Sequence, residues 1–210
     1  MAGDALQEVP APAEVTAAVR RSCLVALAAS AGGINALGVV LAALPSNLRA
    51  PVVVVQHLAP RHPSHMAEIL SRRTDLHVKQ ARDGEALRLG VVYIAPPDRH
   101  LLVNSDATLT LTETELVHFV RPSADLLFES AAAAFGPGLV AVVLSGSGED
   151  GAMGVRAVKK RGGTVIAQEV TSAEFSGMPE SAMRTGAVDL SLPLQAIGRA
   201  VSALVEEIAA

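Results

Sequence analysis

In Leu24-Val25-Ala26-Leu27-Ala28-Ala29-Ser30-Ala31-Gly32-Gly33, an apolar run of strand length stops at one small hydroxyl residue and two glycines follow. Ile34 to Leu44 then carries apolar residues at helical spacing, so the sequence changes from strand to tight turn to helix. A serine in such a turn stands above the carboxyl end of a sheet strand, beside the amides that open the next helix. Two roles for Ser30 stay open: a nucleophile next to a ready-made anion site, or the N-cap of the helix that follows.

Working outward, apolar strand-length runs alternate with helical stretches. Val52 to Val55 is a second buried strand that stops at Gln56-His57, and Pro63 to Leu70 is a helix. His77 to Gln80 and Val91 to Ile94 are short strands, and Leu101-Leu102-Val103 with Leu109-Thr110-Leu111 forms a hairpin expected to extend the sheet antiparallel. Ser123 is the N-cap of a helix with Leu126, Leu127, Ala131 and Phe135 on one face. Leu139 to Leu144 is a third strongly apolar strand, ending at Ser145-Gly146-Ser147-Gly148-Glu149-Asp150-Gly151. Ala152 to Arg161 is a helix with cations in its last turn, closed by Gly162-Gly163. Thr164 to Ala167 is a strand, Pro179 to Arg184 a helix, Val188 to Leu190 a strand and Pro193 to Ile208 a terminal helix. The alternation predicts an α/β fold: a three-layer, doubly wound, mostly parallel sheet with helices on both faces and a short antiparallel hairpin.

Composition supports this and removes several functions. Of 210 residues half are hydrophobic but only 2% aromatic, so the core is packed with Ala, Val, Leu and Ile, as buried parallel strands under Ala-rich helices require. Residues 1–20, with Pro10 and Pro12, form a tail or lead-in helix, and 21–210 a single domain. A net charge of −4 without interleaved basic and aromatic residues argues against nucleic acid as a partner. No apolar segment is long enough for membrane insertion, and Asp4 and Glu8 precede any basic residue, unlike a secretory signal. Cys23, the single cysteine, cannot form an internal disulfide, which favours a reducing, cytoplasmic setting.

In open parallel sheets, sites form beyond the carboxyl ends of the strands. Ser30, His57 and Asp150 each follow one of the three most apolar runs, and they are the hydroxyl, imidazole and carboxylate of a nucleophile, base and orienting acid. Their order, Ser, His, Asp, differs from the Ser, Asp, His order of α/β-hydrolases. Plainer roles exist: a loop histidine at position 57, and an N-cap of the next helix at Asp150. His62 and His65 stand three apart, but no third metal ligand accompanies them, and the motifs of nucleotide-binding loops are missing. No metal or cofactor is therefore expected.

Six ordered segments carry a family resemblance: Ala28 to Gly33; Gln56-His57; Val92 to Pro96 with His100-Leu101; Arg121 to Phe128; Ser145 to Ala152; and Gly177-Met178-Pro179. Across about residues 22–205 the chain resembles the catalytic domain of CheB-type chemotaxis methylesterases. The resemblance implies a protein-glutamate methylesterase that hydrolyses glutamyl methyl esters on the cytoplasmic helices of methylated chemoreceptors, releases methanol, and in some members deamidates receptor glutamines. It implies Ser30 as nucleophile, His57 as general base and later acid, and Asp150 as the residue orienting His57, with backbone amides around Ala31 to Gly33 holding the oxyanion. Other chemotaxis signalling proteins are further candidate partners. The family pattern has Gly, Thr and Met where this chain has Ala28, Ala31 and Ser147, and it usually includes an N-terminal receiver domain, for which the roughly 20 residues before the first strand leave no room. Ala28 is expected to tighten the turn under the nucleophile. These departures keep two alternatives in play: a catalytically weak binding module of the same fold, and a serine esterase or amidase with another acyl substrate.

Overall fold

The computed structural model describes residues 23–57 and 64–210, so the expected tail at 1–20 and the start of the Pro63 helix lie outside the described residues. Seven strands form one parallel sheet in the order β3 (His77–Gln80), β4 (Val91–Ile94), β2 (Val52–Gln56), β1 (Leu24–Ala29), β7 (Leu139–Val143), β8 (Thr164–Gln168) and β9 (Leu190–Leu192). β1 lies at the centre and is buried along its whole length. Its side chains alternate between the two faces: Leu24, Ala26 and Ala28 enter one core, and Val25, Leu27 and Ala29 the other.

The second core is covered by α1 (Gly33–Ala42), α2 (Met66–Ser71) and α6 (Leu194–Ile208), through residues such as Leu37, Leu70 and Val201. The first is covered by α3 (Ala124–Phe135), α4 (Ala152–Lys160) and α5 (Gly177–Arg184), through Phe128, Val155 and Met178. Ser123 caps α3 as expected: its backbone is extended and its side chain accepts a hydrogen bond from the Leu126 amide. β9 begins two residues later than predicted. The carboxylate of Asp189 is spent on the Val165 amide (2.9 Å) and on Lys159, which ties the approach to that strand before pairing begins.

The hairpin is a correction. β5 (His100–Val103) and β6 (Leu109–Thr112) pair antiparallel, Leu101 opposite Leu111, but they form a sheet of their own and do not extend the main one. Leu101, Val103 and Leu109 are apolar and face the α3-side core, and the Val103 amide donates to Ser130 Oγ on α3 (3.1 Å), so burial holds the pair against that helix.

The segment between β6 and α3 contains a tight turn. Val117 and Val120 exchange backbone hydrogen bonds (3.2 and 2.9 Å), and between them His118 and Phe119 both take positive φ (49° and 62°). Such a two-residue turn normally employs Asn or Gly, and a bulky side chain such as that of Phe119 pays roughly 1–3 kcal/mol for that conformation. Arg121 secures the segment by hydrogen bonds to Asp98 Oδ1 (2.9 and 2.7 Å) and to the carbonyls of Glu113 and Thr114 (2.9 and 2.7 Å).

Candidate active site

β2 and β7 flank β1 on opposite sides, so the topological switch point of the sheet lies at the carboxyl end of β1. Ser30, His57 and Asp150 all lie there. Ala29 and Gln56 are the last register pair of β1 and β2, and the His57 amide donates to the Ala29 carbonyl (3.1 Å). Ser30 and His57 are therefore the next neighbours across two paired strands. The Ser30 amide also donates to the Ser145 carbonyl (3.0 Å), tying the turn to the end of β7.

Ser30 does not cap α1. The N-cap is Gly32, which has φ 72° and no side-chain cap bond. A Cβ on Gly32 would meet Ser145 Oγ at 2.8 Å and Glu174 Oε2 at 2.9 Å, so both conformation and space require glycine there. Ala28 is likewise not part of the turn: it sits inside β1, opposite Val55 and Val143, with its methyl group in the core.

His57 Nε2 is 2.8 Å from Asp150 Oδ2. Asp150 does not cap the helix that follows it either, since Gly151 holds that position. Its carboxylate instead receives the Ala124 amide (2.6 Å), the Asp125 amide (3.1 Å) and the Ser123 hydroxyl (2.8 Å), at the N-terminus of α3. Burial alone would raise this carboxyl, but the hydrogen bonds from His57, Ala124 and Asp125 outweigh it and hold Asp150 below the ordinary carboxylate range. With Nε2 turned to Asp150, Nδ1 is the ring nitrogen left for the serine. Among the described residues Ser30 Oγ makes no hydrogen bond. The structure thus joins His57 to Asp150 through side chains and sets Ser30 beside His57 through backbone register, without a hydroxyl-to-ring bond. In unliganded sites such contacts often tighten only when substrate is bound.

The sequence reading passed over several supporting groups. Gln56 Nε2 donates to the carbonyls of Ser30 (2.7 Å) and His57 (3.0 Å), so one amide clasps both turns. Its Oε1 is buried without a hydrogen-bond partner among the described residues and lies 2.1 Å from where a Cβ on Gly33 would be. Ser145 Oγ donates to the Ala31 carbonyl (2.8 Å) and accepts from the Phe175 amide (3.0 Å). Ser123 was visible as a cap but not as a donor to Asp150. Its amide in turn donates to His100 Nδ1 (3.1 Å), so the fully buried His100 carries its proton on Nε2 and donates to the Glu115 carbonyl (3.0 Å). Asp125, also buried, has its carboxyl raised by desolvation despite the Gly154 amide and the nearby His118.

The amides can also be sorted. That of Gly33 donates to the Ser30 carbonyl (2.9 Å), while those of Ala31 and Gly32 have no partner among the described residues and remain available to an anion. Of the histidine pair considered for a metal, His62 lies outside the described residues and the exposed His65 faces Glu68 at 3.7 Å.

A serine, an imidazole and a buried carboxylate at the switch point of a doubly wound sheet are the groups that a serine-dependent hydrolase uses. Comparison with known proteins then identifies it more closely: the CheB methylesterase family model matches residues 25–201, and the chain belongs to that family. A relative from Leptospira interrogans is 38% identical over 173 residues, covering 82% of this chain and 90% of that one. The "Protein-glutamate methylesterase/protein-glutamine glutaminase 3" of Anaeromyxobacter dehalogenans is 46% identical over 180 residues, covering 85% of this chain and 53% of that protein. The "Protein-glutamate methylesterase FrzG" of Myxococcus xanthus is 40% identical, again over 53% of its length, so the chain spans about half of these two relatives. The crystal structure of the Thermotoga maritima CheB methylesterase catalytic domain superposes with a TM-score of 0.83 at 36% identity, covering 89% of this chain and 98% of that one.

Proposed function

We propose that this chain is a protein-glutamate methylesterase acting on glutamyl methyl esters of chemoreceptors, with residues 21–210 as its catalytic domain, 1–20 as a lead-in, and the cytoplasm as its place of work. Ser30 Oγ attacks the ester carbonyl while His57 Nδ1 takes its proton. The oxyanion is held by the Ala31 and Gly32 amides. The tetrahedral intermediate collapses as His57 returns the proton to the departing methoxide, giving methanol and an acyl-Ser30 ester. His57 then deprotonates a water that attacks this ester, and breakdown frees the glutamate carboxylate and restores the hydroxyl. Asp150 keeps the ring oriented and stabilises the imidazolium. A glutamine substrate follows the same path with ammonia as the leaving group.

The observation that carries this reading is the 2.8 Å contact between His57 and a buried, ionised Asp150, with Ser30 at the next strand position. Incubation with methyl-labelled receptor tests it: labelled methanol is expected from the intact chain and none above background from Ser30→Ala. Undiminished release by Ser30→Ala would remove the serine from its role. Receptor binding without any turnover by the unaltered chain would leave only a binding module.

A further inference from the structure

A groove runs from the Gly148-Glu149 loop between α4 and α5. Met153 and Arg156, one turn apart on α4, form one wall, Ser181 and Arg184 on α5 form the other, and the His118-Phe119 turn stands at the mouth. In a chain of net charge −4, the groove is lined by Arg156 and Arg184 against one carboxylate, Glu149, and Arg184 also stands 3.6 Å from Glu180 one turn earlier on α5, which leaves Arg156 as the groove's unpaired cation. Arg156 is exposed and has no ion-pair partner among the described residues. Phe119 is 94% exposed, on a backbone that phenylalanine adopts only at a cost. No packing within the described fold rewards that cost, whereas an aromatic anchor for a partner would. His118 holds the turn in place, with Nε2 3.3 Å from Asp125 Oδ2 and Nδ1 3.6 Å from Glu149 Oε1.

Glycines separate this groove from the nucleophile. A Cβ on Gly177 would lie 2.9 Å from the Gly148 amide nitrogen, and one on Gly146 would lie 2.9 Å from Ser30 Cβ. Close packing at these glycines sets the Gly148-Gly177 end of the groove beside the turn that carries Ser30.

We propose that this groove seats an amphipathic, glutamate-bearing helix of the substrate protein, with Phe119 packed on its apolar stripe, Arg156 and Arg184 facing its carboxylates, and one esterified side chain passing over the glycines to Ser30. The proposal rests on the methylesterase reading above. A helix fits because the walls are themselves helical and no strand residue lines the groove, so an extended peptide has no sheet edge to join. The sign of the charge selects an acidic partner.

The test measures binding and turnover of a methylated receptor fragment alongside hydrolysis of p-nitrophenyl acetate, for the full chain and for Phe119→Asn and Arg156→Glu. Asn suits the left-handed turn, so the first variant removes the ring and keeps the fold. Each variant is expected to weaken receptor binding about tenfold and raise KM for the receptor, with hydrolysis of the small ester unchanged. Added salt is expected to weaken binding by the unaltered chain more than by Arg156→Glu. Receptor binding equal to that of the unaltered chain in both variants, or equal losses on receptor and small ester, would overturn the groove assignment. Receptor binding that depends on Phe119, without methanol release by the unaltered chain, would instead overturn the methylesterase reading and leave the groove standing.

Discussion

Asp150 offers two oxygens to four donors, from His57, Ser123, Ala124 and Asp125. Asp150→Asn keeps the shape but offers His57 an amide where it had a full acceptor, and kcat on methylated receptor is expected to fall by about 10³- to 10⁴-fold. The same carboxyl sets a pH dependence. Because its folded-state affinity for protons is depressed, its contribution to stability is complete above the unfolded value near 3.9 and is lost as pH falls below that through the folded value. Asp125, whose carboxyl is raised, works in the opposite sense and offsets part of the loss. Urea midpoints measured from pH 7 to pH 3 should therefore fall less steeply in Asp150→Asn than in the unaltered chain. Gln56→Met tests the clasp on the Ser30 and His57 carbonyls: nearly the same volume remains, both hydrogen bonds go, and kcat is expected to drop by up to about 10²-fold as the two turns lose their alignment.

The turn between β1 and α1 depends on one left-handed glycine. Gly32→Ala is expected to lower stability by about 1–2 kcal/mol from conformation alone, and by more where Ser145 and Glu174 must move, readable as a lower urea midpoint at unchanged slope. At this scale the sequence was legible where burial is complete on both faces. The Val52 to Val55 and Leu139 to Leu144 runs appear as strands within a residue of expectation. It was less legible where polar groups decide the ends: β9 starts late because Asp189 is engaged elsewhere, and the hairpin lies on α3 because its apolar face needed cover. Ser30 and Asp150 both looked like possible caps, and both lie outside the cap positions for one reason, since a left-handed glycine follows closely and starts the helix itself.

Across the whole molecule, one central strand is shared by two cores, and Ser30, His57 and Asp150, which the sequence places after its three most apolar runs, all follow that strand and the two strands beside it. Gln56, Ser145 and His100 stayed hidden because their work is to bond backbone atoms remote in sequence, which leaves no periodic signal. Cys23, at the start of β1, shows how tightly that centre is closed. Burial pushes its thiol up to about 12, so a thiol reagent such as Ellman's is expected to leave the native protein untouched and to label it promptly in denaturant. Labelling at the native rate of a free thiol would mean that the central strand opens on its own. The seating of one carboxylate on both a helix start and an imidazole has a further result. Any motion that lifts α3 from its place parts His57 from its carboxylate in the same event, so the seating of that helix and the orientation of the imidazole are lost together.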